Sequence, residues 1–318
     1  MHRIKIIFFG STSDSVLVLE KLVTCHLSLV TLQIVAVVTQ PARPAGRNQV
    51  LSPTPVEIWA KAQKIPVFSF PHNNKKPWLF ENEQTVIDTL EPFKADLIVS
   101  ASFGQKIPIQ TIRAATFGGL NVHPSLLPKW RGADPVPWAI LSGDHQTGVT
   151  IVTLEEKFDE GKIIAQQKYP ITDKDTSDPL RTKLFQLGAD LLVNNLSDYC
   201  SLSMSSRSRL TGGSGDLTKT EIVTSSTPRN DNEPYARRLT RDDGFEPWEK
   251  IQNPKEAERI DRKFRALHPW PGLWTEIKEK RLKILSCHLN PSLILDTVQL
   301  EGKKPVSYEQ FAKVYLPS

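Results

Sequence analysis

Cysteine is scarce in this chain, and what there is lies scattered. The 318 residues include three, Cys25, Cys200 and Cys287, with no CxxC spacing among them. Neither a disulfide framework nor a thiolate metal site is suggested, and a reducing compartment fits best. The seven histidines show no paired spacing of ligand character, so no metal is implied. Long apolar runs are missing too. Leu27 to Val38 is interrupted by Ser28, Thr31 and Gln33 and is too short to span a bilayer. The opening run Arg3 to Phe9 is too short for a signal peptide and reads as a first strand, which favours no transit peptide and a bacterial-type cytoplasmic location over an organelle matrix. After that strand stands one glycine, Gly10, where a dinucleotide fingerprint has three, and this disfavours a nicotinamide enzyme.

Neither sign of charge prevails. The net is +5, and most of it belongs to the C-terminal third: from Met204 onward 20 Lys and Arg stand against 16 Asp and Glu. Such a surface suits a polyanion, although many basic surfaces are merely solvated.

What is present alternates. Strands are expected at 3–9, 33–39, 67–70, 95–101, 120–123 and 148–154, with helices between them and a long helix from Asp175 to about Tyr199. That order points to an α/β fold with a doubly wound, mostly parallel sheet over 1–200. Residues 201–233 hold eight serines and a Gly-Gly-Ser-Gly and read as a flexible linker. Order resumes over 234–318, where Leu273 to Tyr315 suggests several short strands of a small barrel-like domain.

The polar residues that invite chemistry sit at strand ends. Asn121 and His123 are two apart, so on a strand they share a face, and Pro124 ends the ladder beside them. Alone, such a pair could simply brace the loop that follows. The turn after the next strand carries Asp159, and ligands bind at the carboxyl ends of strands in parallel sheets, which would put Asn121, His123 and Asp159 on one rim. Arg43 and Arg47 lie in a Pro- and Gly-rich loop after the second strand; they are either solvated surface or phosphate contacts, since arginine forks match phosphate oxygens.

The segments NVHPSLLPKWRGADP and GVTIVTLEEKFDEGKIIAQ, taken together, resemble the folate-dependent formyltransferases over nearly the whole chain. VVTQPARPAGR with LSPTPV, and ARRLTRDDG with HPWPGLWTEI, are similar to the branch that modifies tRNA. The resemblance implies a Rossmann-like catalytic domain, a smaller C-terminal β-barrel (OB-like) domain that binds tRNA, and a monomer that needs no membrane. It implies 10-formyltetrahydrofolate as the formyl donor and the α-amine of initiator methionyl-tRNA as the acceptor. Carried over residue by residue, the catalytic positions are Asn121, His123 and Asp159. Folate contacts fall on Ser125, Leu126, Leu127 and Pro128; independently of the resemblance, backbone groups of the strand-end loop at Phe103, Gly104 and Gln105 can hydrogen-bond the edge of a folate heterocycle. The tRNA contacts fall on Arg43 and Arg47. Two departures stand out: Asn48, Gln49 and Val50 replace further basic residues after Arg47, and only 46 residues follow Gly272, a tight fit for a five-strand barrel. A formyltransferase acting on a sugar-nucleotide or other small amine, and a folate- or RNA-binding module without turnover, therefore remain alternatives.

Overall fold

A computed structural model describes residues 2–25, 30–45, 49–209 and 233–316. The chain divides into two compact units. The first comprises residues 1–131, 148–169 and 182–234, and the second 132–147, 170–181 and 235–318.

The first unit is built on a seven-stranded sheet. Its strands are β1 (His2–Phe9), β2 (Val30–Thr39), β3 (Val67–Ser69), β4 (Leu97–Ala101), β5 (Gly119–His123), β6 (Gln146–Thr153) and β7 (Ile163–Pro170), in the spatial order β7-β6-β5-β4-β1-β2-β3. The five strands from β5 to β3 run parallel, and β6 runs antiparallel to β5. Both faces of the sheet are covered. On β1 the period of two sends Ile4, Ile6 and Phe8 into one core and Ile7 and Phe9 into the other. On β5 the same alternation commits Leu120 and Val122 to the first core, which turns Asn121 and His123 to the opposite face.

The helices around this sheet start where short polar side chains can cap them. For α1 (Ser13–Thr24) the cap is Thr12, and for α2 (Pro55–Ala62) it is Thr54, with Pro55 in the first turn where its missing N–H costs nothing. For α3 (Glu83–Leu90) it is Asn82. A short α4 (Ile109–Ala114) follows β4. The long α6 (Ser177–Arg209) lies close against the strands of the site: a Cβ on its Gly188 would stand 2.5 Å from Val122 and 2.7 Å from Val149. This helix takes in residues 201–209, read from sequence as the start of the linker; 210–232 of that stretch lie outside the described residues.

Within the second unit, β8 (Leu273–Ile277), β9 (Lys280–Asn290), β10 (Ser292–Leu300) and β11 (Val306–Ser307) form a four-stranded antiparallel sheet in sequence order. Ile260 and Phe264 of α8 (Ala257–Leu267) share its core with Leu273, Leu282, Ile284 and Val298. The unit also holds α5 (Pro135–Leu141) and a short α7 (Trp248–Ile251). Strands were expected through Tyr315, but Tyr308–Tyr315 is a helix, α9. Ser307 caps it, Phe311 is its buried anchor, and Lys313 pairs with Glu309 one turn back. Trp270 is 57% exposed. No helix among the described residues is long and apolar enough to cross a membrane.

Candidate active site

The site grows from the end of β5. Asn121 is half-buried and His123 is 4% exposed, and each stands two residues from the other on the face opposite Leu120 and Val122. Asp159 joins them, but by a route the sequence does not suggest. Because β6 is antiparallel to β5, with Leu120 beside Thr153 and His123 beside Thr150, β6 ends next to the start of β5 and not on its carboxyl rim. The loop 155–161 must therefore double back over the sheet face. Two backbone features allow it. Asp159 adopts the left-handed conformation at φ 56°, which Asp tolerates better than most residues. Gly161 passes so close to β6 that a Cβ would meet the Thr153 carbonyl oxygen at 1.9 Å.

The result is a compact polar group. Asn121 Nδ2 donates to Asp159 Oδ1 at 3.3 Å, and His123 Nδ1 lies 3.4 Å from the same oxygen. His123 Nε2 stands 2.9 Å from the Trp130 carbonyl oxygen, which can only accept, so Nε2 carries the hydrogen of that bond. Nδ1, facing the carboxylate, is the nitrogen left to take up or release a proton.

The loop 124–130 is fastened from several sides. Ser125 is fully buried and its Oγ donates to the Lys129 carbonyl at 2.8 Å. Thr150 Oγ1 donates to the Ser125 carbonyl at 2.6 Å and accepts from Leu127 N at 3.1 Å. Gln166 Nε2 donates to the Leu127 carbonyl at 2.8 Å, and the Leu127–Pro128 peptide is cis. Ser125 and Leu127 thus spend their side chains on the protein interior, while Leu126 and Pro128 are half-exposed.

A second loop leaves β4 beside β5, since Ala101 pairs with Val122. It turns at Ser102 (φ 49°) and Gly104 (φ 79°). Phe103 is buried edge-on against Phe9, with ring centroids 5.2 Å apart. Gln105 is 4% exposed, and neither atom of its carboxamide has a hydrogen-bond partner within the protein. Gln40 Nε2 donates to the Phe103 carbonyl at 2.9 Å while its Oε1 accepts from Arg43 Nη2 at 2.7 Å, tying the Arg43 segment to this loop. Arg43 opens a short hairpin, 43–45 with 50–52, whose Val50 and Leu51 are exposed. Arg47 lies outside the described residues.

Four contributors escaped the sequence reading: the Trp130 carbonyl, Thr150, Gln166 and the buried Arg131, whose Nε donates to the Asp159 carbonyl at 3.2 Å. A backbone carbonyl leaves no trace in sequence. Arg131 does, as one of two cations, with Lys129, at the end of the loop after β5. Among the described residues no group of three or more His, Cys, Asp or Glu is arranged to hold a metal ion.

An amide, an imidazole and a carboxylate on one face of a strand end can stabilise an oxyanion and move a proton, which is the chemistry of acyl transfer. The sequence agrees on the class. The family described as "Formyl transferase" matches residues 3–196, and "Formyl transferase, C-terminal domain" matches 249–293. The chain belongs to the formyl transferase family.

Among its curated relatives are methionyl-tRNA formyltransferases. The protein of that name from Staphylococcus epidermidis is 34% identical over 304 residues, covering 93% of this chain and 86% of the relative. The one from Listeria monocytogenes serotype 4a is 38% identical over 280 residues, covering 88% and 78%. Solved structures share the fold at lower identity. A sugar N-formyltransferase from Shewanella has a TM-score of 0.55 and 17% identity, covering 95% of this chain and 99% of that one. An N-formyltransferase from Helicobacter canadensis, in complex with folinic acid and dTDP-3-aminofucose, has a TM-score of 0.55 and 19% identity, covering 90% and 87%.

Proposed function

We propose that this chain transfers the formyl group of 10-formyltetrahydrofolate to the α-amine of initiator methionyl-tRNA, giving N-formylmethionyl-tRNA for the start of translation. The observation that carries the reading is the meeting of Asn121, His123 and Asp159 around one oxygen at 3.3–3.4 Å. Identity of 34–38% to methionyl-tRNA formyltransferases over most of the chain supports the acceptor.

The folate supplies a formyl carbon activated by its bond to N10. A neutral amine is already a nucleophile, so no Ser or Cys need attack. As the amine nitrogen bonds to that carbon, charge collects on the formyl oxygen, where the Asn121 amide and an Nδ1-protonated His123 donate hydrogen bonds. The amine gives up one proton, which Asp159 accepts directly or through water. The C–N10 bond breaks, and N10 takes a proton in its turn, so that charge and protons balance across the step. In this reading Leu126 and Pro128 provide apolar wall for the folate, with backbone groups of 125–128 beside them. Phe103 and Gly104 shape the second loop, and Gln105 offers a donor and an acceptor that otherwise go unmet. Arg43 and Arg47 contact tRNA phosphates, and the 234–318 region adds to the tRNA surface. The protein acts as a monomer in a bacterial-type cytoplasm.

The test is incubation with 10-formyltetrahydrofolate and charged initiator tRNA, followed by hydrolysis and detection of N-formylmethionine. Transfer to a free sugar-nucleotide amine as fast as to the aminoacyl-tRNA would replace this acceptor with a small one.

A further inference from the structure

Arg131 is a nearly buried cation, 9% exposed, in the backbone stretch that also sets the imidazole. The carbonyl of its neighbour Trp130 accepts from His123 Nε2 at 2.9 Å and from Ser125 Oγ at 3.4 Å. Arg131 itself donates from Nε to the Asp159 carbonyl at 3.2 Å. Two consecutive residues therefore hold the two halves of the His–Asp contact: Trp130 fixes the ring, and Arg131 fixes the backbone from which the carboxylate hangs. The second half needs fixing. Asp159 sits at φ 56°, a conformation that costs even an Asp some energy, and its loop runs back across the sheet against the direction in which β6 delivers it. A guanidinium suits the task because its N–H groups lie in one plane at set angles, which an ammonium cannot reproduce.

We propose that Arg131 is a positioning residue for the formyl transfer: it fastens the loop 155–161 so that the Asp159 carboxylate stays within reach of Asn121 and His123. The proposal rests on the reaction assigned above. It differs from a substrate contact, which would bind folate or tRNA, and from a plain structural arginine, whose loss would act on folding alone.

The experiment is a double-mutant cycle. R131A and R131K are made alone and together with D159N, and each is assayed for transfer from 10-formyltetrahydrofolate to charged initiator tRNA. R131A should lower kcat about a hundredfold, the loss that follows from misplacing a reacting group by about 1 Å. KM for either substrate should move less than about twofold, since uniform binding is untouched. R131K should recover little of the loss. In the D159N background, removing Arg131 should cost less than about twofold more, because the group it positions is already gone. A further hundredfold loss in that background, or a rise in KM with kcat kept, overturns the proposal. Should R131A fail to fold, R131K carries the cycle. Hydrogen exchange supplies a readout independent of turnover. Loosening should speed exchange of the 155–161 amides at least tenfold in R131K and leave the β5 amides as they were; equal rates in variant and wild type overturn the proposal as well. If wild-type protein transfers no formyl group to the tRNA, the assigned reaction is what fails, and the exchange rates still decide whether Arg131 fastens the loop.

Discussion

Two aspartates, one in each unit, hold their partners in opposite ways. In the second unit Asp243 is gripped. Arg237 Nη1 donates to its Oδ2 at 2.8 Å and the other guanidinium nitrogen pairs with Oδ1, while Thr240 adds its backbone N–H at 2.7 Å and its hydroxyl at 2.9 Å. The Arg237 hydrogen bond is the main reason its carboxyl stays down at about 2. In the first unit Asp159 meets Asn121 and His123 at 3.3 and 3.4 Å. Short charge-assisted bonds to arginine fix a turn and leave the carboxylate committed. Longer contacts to an amide and an imidazole keep those groups together yet leave them able to turn toward another acceptor, as hydrogen bonds at reacting centres often tighten only when substrate arrives. Both motifs look alike in sequence, Asp-Glu-Gly against Asp-Asp-Gly. The partner chemistry separates them.

The sharpest way to break this contrast is to neutralise each carboxylate. D159N should cut kcat/KM about a thousandfold, within the range that positioned acid–base groups contribute, and shift the melting temperature little. N121A should cost about a hundred- to a thousandfold, the loss typical of one oxyanion donor. D243N should do the reverse, lowering the melting temperature and sparing turnover. Steady-state kinetics beside thermal unfolding of the three variants is the check. Full activity in D159N would put both aspartates in the same structural class.

Gln105 offers a smaller effect with two signs. A buried carboxamide without partners is destabilising, and replacing it by an apolar group of similar size relieves that cost. Q105L should raise the stability of the free protein by about 1 kcal/mol. If the amide reads the donor–acceptor edge of a folate ring, the same change should weaken binding of 5-formyltetrahydrofolate about tenfold, the worth of one net hydrogen bond to a buried site. Calorimetric titration and denaturant unfolding of Q105L measure both. Greater stability with unchanged affinity would make Gln105 a packing residue.

How far the sequence reaches can be judged at these residues. The period of two on β1 and β5 was readable, and with it the shared face of Asn121 and His123. The buried apolar strand expected at 95–101 and found at 97–101 was readable for the same local reason. Strand direction was not. Nothing local marks β6 as antiparallel, because direction is decided by which neighbour completes the sheet. Asp159 was therefore expected on the right partners by the wrong path. Strand β7 and the hairpin at 43–52 were missed, the first because Gln166, Gln167 and Lys168 break its alternation and the second because its strands are three residues each. Helix α9 was read as strand because Val314 and two tyrosines favour extended chain locally. The burial of Phe311 against the sheet overrides that preference.

The smallest expected effect tests the gripped aspartate by pH. Asp243 belongs to a capping box with Thr240, so D243A loses the cap as well as the pair and should cost about 1 kcal/mol of stability near neutral pH. The pair's own share has a sign that can be worked out. An ordinary aspartate titrates near 3.9, and Asp243 is held at about 2 in the folded chain. Its contribution is complete above about pH 4 and disappears as pH falls through about 2, because the unfolded chain binds the proton first. Arg237 is half exposed, so solvent screens the attraction and added salt should shrink it further. Unfolding of wild type and D243N compared at descending pH should therefore show a gap that closes between about pH 4 and pH 2, and closes by more in low salt, where it starts larger, than in high. A gap that stays constant through that window would mean that Arg237 stacks on Trp138, 5.0 Å from its ring, without needing the carboxylate at all.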